Sequence, residues 1–221
     1  MGHRPHLYLP PPWTGPAIEL SNNQRHHLRS VLRLEDAEEL TYTDGAGLTG
    51  MGHLQANTVI RSTELRHPPP RPLLTLAVAP PRDKDRARFL VEKAAELEVT
   101  RLVWLQTRYG QGHPPPMARA TGWAVAGLEQ SQGAYLLQIE STPVRLEELD
   151  RQTWSGEIWL SVGDGEPLPG SLPEVMTVAI GSEGGWAPEE LSLGLARVSL
   201  GRTILRVDTA AITVAARVRR A

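Results

Sequence analysis

From residue 73 onward, short apolar runs alternate with segments whose apolar residues recur at helical spacing, and this alternation constrains the fold more than any other feature. The run Leu73–Val78 has the continuous apolar character of a strand buried on both faces. Over 83–97, Ala87, Leu90, Val91, Ala94 and Leu97 fall on one helical face. Strands are predicted over 101–106, 157–162, 176–180 and 198–200. Helices are predicted over 117–132, 188–196 and 204–219. Strands that alternate with helices predict an α/β fold, a parallel sheet covered on both faces.

The first seventy residues read differently. Ser21 is placed to cap a helix over 22–32, and Asp44-Gly45 marks a turn after a strand over 39–43. A small β-barrel with one helix is expected, with weak strand signals over 45–52. The proline run at 67–72 is the best linker, so a boundary is expected near residue 70, giving domains 1–70 and 71–221.

Composition narrows the function classes. Apolar residues make up 40 % of the chain, too many for disorder to be the default. No apolar run approaches bilayer length, and residues 1–12 lack a basic segment followed by an apolar one, so a cytoplasmic protein with no membrane partner is expected. The absence of cysteine excludes disulfides, cysteine nucleophiles and thiolate metal sites. Adjacent histidines His26 and His27 point apart on a helix, with no carboxylate set to complete a site, so no metal is expected. The net charge of −2 argues against indiscriminate polyanion binding. Yet nearly all the positive charge is arginine, with Lys84 and Lys93 the only lysines. Arginine suits phosphate and base recognition, although a compositional bias gives the same excess.

Two loops carry the chemistry. The first, Gly181-Ser182-Glu183-Gly184-Gly185-Trp186, joins a buried strand to a helix start marked by Pro188, Glu189 and Glu190. It lacks the Gly-Lys-Ser/Thr of a P-loop and the Gly-x-Gly-x-x-Gly of a dinucleotide site. Glu183 sits where a phosphate would approach, and its charge favours a neutral or cationic ligand. S-adenosylmethionine, with its sulfonium and ammonium groups, fits that requirement. The same residues also read as a plain tight turn with a solvent-exposed glutamate. The second loop, Leu200-Gly201-Arg202-Thr203-Ile204-Leu205-Arg206-Val207-Asp208-Thr209-Ala210, is again strand, glycine and helix. By itself its Arg206 and Asp208 also read as a surface ion pair of little energetic worth.

Together these two loops resemble the RsmE family, 16S ribosomal RNA uracil-N3 methyltransferases of the SPOUT superfamily. The stretches over 23–34 and 83–100 and the triplet Glu129-Gln130-Ser131 resemble further family motifs. The resemblance implies a SPOUT-type parallel sheet with a C-terminal trefoil knot, preceded by a PUA-like β-barrel. It also implies a homodimer that acts on 16S rRNA within the small ribosomal subunit. S-adenosylmethionine would then be held by Val162, Ile180, Gly181, Glu183, Gly184, Gly185, Leu200, Gly201, Ile204, Leu205, Arg206, Thr209 and Ala210.

Uracil N3 becomes a good nucleophile only after losing its proton, so such a site must stabilise an anion or supply a base. Arg206 is expected to neutralise charge on the uracil carbonyls. Asp208 is expected to accept the proton or to orient Arg206. RNA contacts are expected from Arg25, Arg29 and Arg33, which share a helix face if that helix persists. Arg82, Lys84, Arg86 and Arg88, which oppose the dipole of the helix they begin, and Arg108 are the other expected contacts. Three positions depart from the family pattern: Ser182 stands where proline is usual, Asp208 where glutamate is usual, and no arginine follows Gln130-Ser131. The alternatives are a superfamily enzyme acting on another nucleotide and a non-catalytic RNA-binding factor.

Overall fold

The computed structural model describes residues 4–219. The chain forms two compact units. One ends at Pro69 and takes in Leu128–Leu136; the other comprises Pro70–Gly127 and the chain from Leu137 on. A single cut near residue 70 leaves Leu128–Leu136 out of account. No helix among the described residues is long and apolar enough to cross a membrane.

The first unit holds a five-stranded sheet in the order β1-β3-β4-β5-β2. Its strands are β1 (His6–Tyr8), β2 (Ala17–Glu19), β3 (Glu39–Thr43), β4 (Leu48–Gln55) and β5 (Thr58–Arg66). Apart from the parallel β1–β3 pair, neighbours are antiparallel. Alternate residues Leu40 and Tyr42, with Leu7, Leu9, Leu54 and Val59, turn into one apolar core. The glycine-rich stretch that gave weak strand signals is therefore a central strand. Its glycines admit Tyr42, whose ring a Cβ at Gly50 would overlap.

The helix predicted over 22–32 begins as expected and ends early. Ser21 and Gln24 form a capping box at the start of α1 (Asn22–His26). The chain then loosens into a π-helical turn, His27–Val31, that buries Leu28, and Arg33 adopts a φ of +57°. Arg25, Arg29 and Arg33 consequently do not share a continuous helix face.

Leu128–Leu136 is tied into this unit by polar contacts. The buried His6 ring lies 2.8 Å from Thr41 Oγ1 and 3.1 Å from the Gly133 carbonyl oxygen. Thr43 Oγ1 donates to the Ala134 carbonyl, and the Tyr8 amide donates to Glu129. Glu129 and the Leu128–Leu136 segment thus serve packing within this unit.

The second unit is a parallel α/β layer. Its main strands are β6 (Leu73–Val78), β7 (Arg101–Gln106), β8 (Gln138–Ile139), β10 (Glu157–Pro167), β11 (Val175–Ile180) and β12 (Ala196–Ser199), and the short β9 (Val144–Arg145) pairs with β7. The order β12-β10-β11-β6-β7-β8 is parallel throughout. Successive residues of β6, β7 and β11 are buried, so both faces are covered. The helices are α2 (Lys84–Glu96), α3 (Met117–Ser131, whose residues from Leu128 on belong to the first unit), α4 (Pro188–Leu191) and α5 (Val207–Val218). Helices α2 and α5 pack on each other, and α5 lies on β6 and β11. A 3-10 turn, Leu146–Arg151, places Leu146 and Leu149 against Ala77, Val103 and Ala179. The helix predicted over 188–196 closes after one turn at Leu191, and β12 starts earlier than predicted, at Ala196.

Burial pushes the His6 imidazole below its ordinary value near 6.5. The folded unit therefore binds this proton less well than the unfolded chain, and stability falls as pH drops through about 6.5. In urea unfolding, the wild-type midpoint should fall between about pH 7.5 and about pH 5.5 by more than that of His6→Gln. Parallel pH profiles would refute a buried neutral His6.

Candidate functional site

Parallel strands send all their carboxyl ends to one edge of the sheet, where ligands of open α/β folds bind. The order reverses at β6, which has β7 on one side and β11 on the other. The loops after β6, β7, β10, β11 and β12 therefore gather at that edge.

A cleft of about 500 Å³ lies beyond β10, β11 and β12. Its first wall is the loop 180–186. There the Gly185 amide donates to the Ser182 carbonyl at 2.9 Å, and Gly185 has a φ of +75°, a left-handed turn that glycine adopts without strain. The Trp186 indole folds back over Gly181, where a Cβ would come within 2.9 Å of the ring. Trp186 Nε1 donates to the Ser161 carbonyl at 2.9 Å, which ties this loop to β10.

The second wall is the loop after β12, with Leu200, Gly201, Thr203, Ile204 and Leu205, backed by Val207 and Ala210 of α5. The third wall comes from an irregularity in β10. Val198 pairs with both Ser161 and Glu166, so the residues between them leave the ladder and Val162, Gly163 and Asp164 border the cleft.

Of the cofactor residues expected from sequence, Val162, Ile180, Gly181, Glu183, Gly184, Gly185, Leu200, Gly201, Ile204, Leu205 and Ala210 line this cleft. Arg206 and Thr209 do not line it. Arg206 is the exposed residue at which α5 begins, and Thr209 is exposed one turn on, its carbonyl accepting from Thr213. Sequence reasoning missed Asp164, Trp186, Leu191 and Arg197 as lining residues. Trp186 did border a recognised loop, whereas Leu191 and Arg197 carry no local signal.

A second groove, of about 750 Å³, lies beyond β6, β7 and β11. Arg82, Arg86, Arg108, Tyr109 and Gln111 line it, with Asp83, Glu183 and Gly184. Glu183 and Gly184 belong to both cavities, so the two share a wall. Glu190 holds that corner together. One carboxylate oxygen accepts from the Arg108 amide at 3.0 Å and the other from the Ala187 amide at 2.7 Å, which joins the β7 loop to the start of α4.

Asp208 has a different partner from the one the sequence suggests. Its two carboxylate oxygens each lie 3.2 Å from Nη1 of Arg86, which starts 122 residues earlier in the chain. The Asp208 side chain is 11 % exposed and that of Arg86 34 %. No Arg206–Asp208 ion pair occurs among the described residues. The contact turns Arg86 from one cation in a basic run into a fixed wall of the groove.

The remaining arginines divide by partner. Arg88 is bound to Glu92 at 2.7 Å, one turn along α2. Arg29 donates to the carbonyls of Leu34 and Ala56 and to Asp36, a structural task that occupies its guanidinium. Arg25 is bound to Asn22. Of the expected RNA contacts, Arg82, Arg86 and Arg108 line the groove, and Lys84 meets Arg82 in an adjoining cavity. Among the described residues no group of three His, Asp or Glu side chains is disposed to hold a metal ion.

The class defined so far is a parallel α/β protein with a ligand cleft and an adjoining cationic groove at the carboxyl edge of its sheet. The chain belongs to the RNA methyltransferase domain family, whose sequence pattern matches residues 68–219. It is 29 % identical over 221 residues to Ribosomal RNA small subunit methyltransferase E of Rickettsia conorii, covering 91 % of this chain and 89 % of that one. A Synechocystis protein of the same name is 28 % identical, with 87 % of this chain and 69 % of the relative covered. Among solved structures, the Neisseria gonorrhoeae Ribosomal RNA small subunit methyltransferase E bound to S-adenosyl methionine has a TM-score of 0.82. It is 23 % identical, and the match covers 99 % of this chain and 98 % of that one. A Legionella pneumophila methyltransferase solved with bound SAM also has a TM-score of 0.82, at 24 % identity and the same coverage. At these identities the two structures speak to the fold.

Asp208→Asn removes a charge partner from a half-buried guanidinium and should lower stability by about 1–2 kcal/mol in urea unfolding. Arg206→Ala, at an exposed position without that contact, should change it by less than about 0.5 kcal/mol. The reverse ranking would restore the pairing suggested by the sequence.

Proposed function

We propose that this protein transfers a methyl group from S-adenosylmethionine to a base of small-subunit ribosomal RNA, the target being N3 of a uridine. The observation that carries the reading is the shared Glu183–Gly184 wall between an apolar-lined cleft and an arginine-lined groove. The family membership and the names of the relatives point the same way.

The residues present fit the donor. The cleft volume lies within the range of small-molecule sites. Val162, Ile180, Leu200 and Leu205 offer apolar surface for an adenine. Ser182 Oγ is buried without a hydrogen-bond partner, as expected of a group that meets a ligand. Glu183 favours a cationic ligand at the boundary of the two cavities. When bound, S-adenosylmethionine supplies an electrophilic methyl group.

The chain's own residues prepare the nucleophile. Uracil N3 must shed its proton, and each pKa unit above the working pH represents about 1.4 kcal/mol. Arg86, clamped by Asp208, presents a fixed positive charge to the base in the groove, where it offsets negative charge on the carbonyl oxygens. A cation already fixed in place needs no reorganisation as that charge develops. Arg82 and Arg108 flank it and position the RNA backbone.

In this reading the second unit is a SPOUT-type domain with a C-terminal trefoil knot, and residues 1–70 belong to a PUA-like barrel that recognises RNA. The protein acts as a cytoplasmic homodimer on the small subunit. The parallel sheet with two glycine loops at its edge supports the first part. The fully exposed Ile204, which lines the donor cleft, supports cover by a second copy.

The test combines calorimetry with nucleoside mapping by mass spectrometry of small-subunit RNA treated with protein and donor. The expected results are donor binding and a single N3-methyluridine. Arg86→Ala should lower kcat by about 100-fold with the donor Kd unchanged. Absent donor binding would make the protein a non-catalytic RNA-binding factor, and a different modified nucleoside would reassign the target.

A further inference from the structure

A second cationic cavity, of about 360 Å³, continues from the arginine groove away from the donor cleft. The two share Arg82 and Gln111. The new cavity adds Lys84, His113 and Arg119, and no carboxylate lines it. Arg82, Lys84 and Arg119 form no ion pair among the described residues, in contrast to Arg29, Arg61, Arg86, Arg88, Arg101 and Lys93. Basic side chains that converge without a counter-charge repel one another. Lys84 and Arg82 also sit at the amino end of α2, where the helix dipole opposes a cation. Asp83 and Asp85 at that helix end offset the dipole but do not line the cavity, so the cations that face it lack a counter-charge there and an external anion is the natural partner.

The cavity is also rigid. Pro81, Pro115 and Pro116 line it. Gly112 packs so closely on the chain below it that a Cβ would overlap the Pro80 carbonyl. A preformed wall reduces the ordering cost of binding.

We infer that this cavity is a phosphate subsite. It holds a phosphodiester of the RNA strand next to the nucleotide whose base enters the arginine groove, with Lys84 and Arg119 as the contacts specific to it. The inference rests on the RNA methyltransferase reading and extends it: the strand crosses the carboxyl edge from the shared Glu183 wall toward the start of α3. Because the contact is to backbone, it sets affinity and register and carries no sequence information.

The test is RNA binding, by fluorescence anisotropy with a fragment of small-subunit RNA, over a salt series. The proteins compared are wild type, the double variant K84Q/R119Q, and K84R/R119K, which keeps both charges. The glutamine pair should weaken binding about tenfold or more. It should also lower the slope of log K against log salt by roughly 1.4, about 0.7 for each lost contact to a single strand. K84R/R119K should stay near wild type, and calorimetry should give an unchanged donor Kd for all three. Inorganic phosphate at constant ionic strength should not displace the RNA. Circular dichroism checks that both variants fold; if the glutamine pair does not, Lys84→Gln alone should lower the slope by roughly 0.7.

A slope and affinity equal to wild type in a folded glutamine variant would overturn the subsite while leaving the methyltransferase reading intact. So would a weakened donor Kd, which assigns the cations to the donor, or displacement by millimolar phosphate, which assigns them to a free anion. Wild-type protein that binds neither donor nor RNA would overturn both.

Discussion

The parallel sheet of the second unit is the constraint on which the rest depends. Six strands run the same way, so every loop that leaves a carboxyl end emerges at one edge. Parallel pairing requires crossovers that cover both faces, and the continuous burial of β6, β7 and β11 is the consequence. With both faces closed, the edge is where a ligand meets backbone groups and side chains from several strands at once. The cleft lined by the glycine loops draws on β10, β11 and β12, and the arginine groove on β6, β7 and β11. β11 contributes to both, which is why its following loop forms their common wall.

Charge is divided across that wall. The cleft beyond β10, β11 and β12 borders Glu183, whose charge favours a cationic ligand, while its Asp164 lies 3.9 Å from Arg197 and is offset by it. The groove carries three arginines, one of them fixed by a buried carboxylate. The Arg86–Asp208 contact joins α2 to α5, which pack on each other, so it serves stability and places the groove's cation at the same time. Its worth lies less in net binding energy than in fixing where the charge stands. Glu190, tying the Arg108 amide to the start of α4, does the corresponding work for the opposite corner.

Much of this was legible in the sequence because the signals were local. The strands Leu73–Val78 and Arg101–Gln106 show in continuous apolar runs, and α2 shows in the spacing of Ala87, Leu90, Val91 and Ala94. The two glycine loops that face the cleft stand out by composition. Failures arose where distant residues decide. The helix after Ser21 loosens at His27 because Leu28 must enter the core of its own unit. The helix predicted over 188–196 stops at Leu191 because β12 pairs with β10 from Ala196. The excursion of Val162–Gly165 depends on Val198 pairing twice, which no period in the chain reveals. Arg86 and Asp208 lie 122 residues apart, so proximity in sequence favoured the wrong arginine.

The most direct measurement is a crystal structure of the protein with S-adenosylmethionine. The account requires the donor between the loops 180–186 and 200–205, with its methyl group directed at the Glu183–Gly184 wall and open to the groove of Arg82, Arg86 and Arg108. A donor bound elsewhere, or one in the cleft with its methyl group facing Leu191 and Arg197, would contradict it.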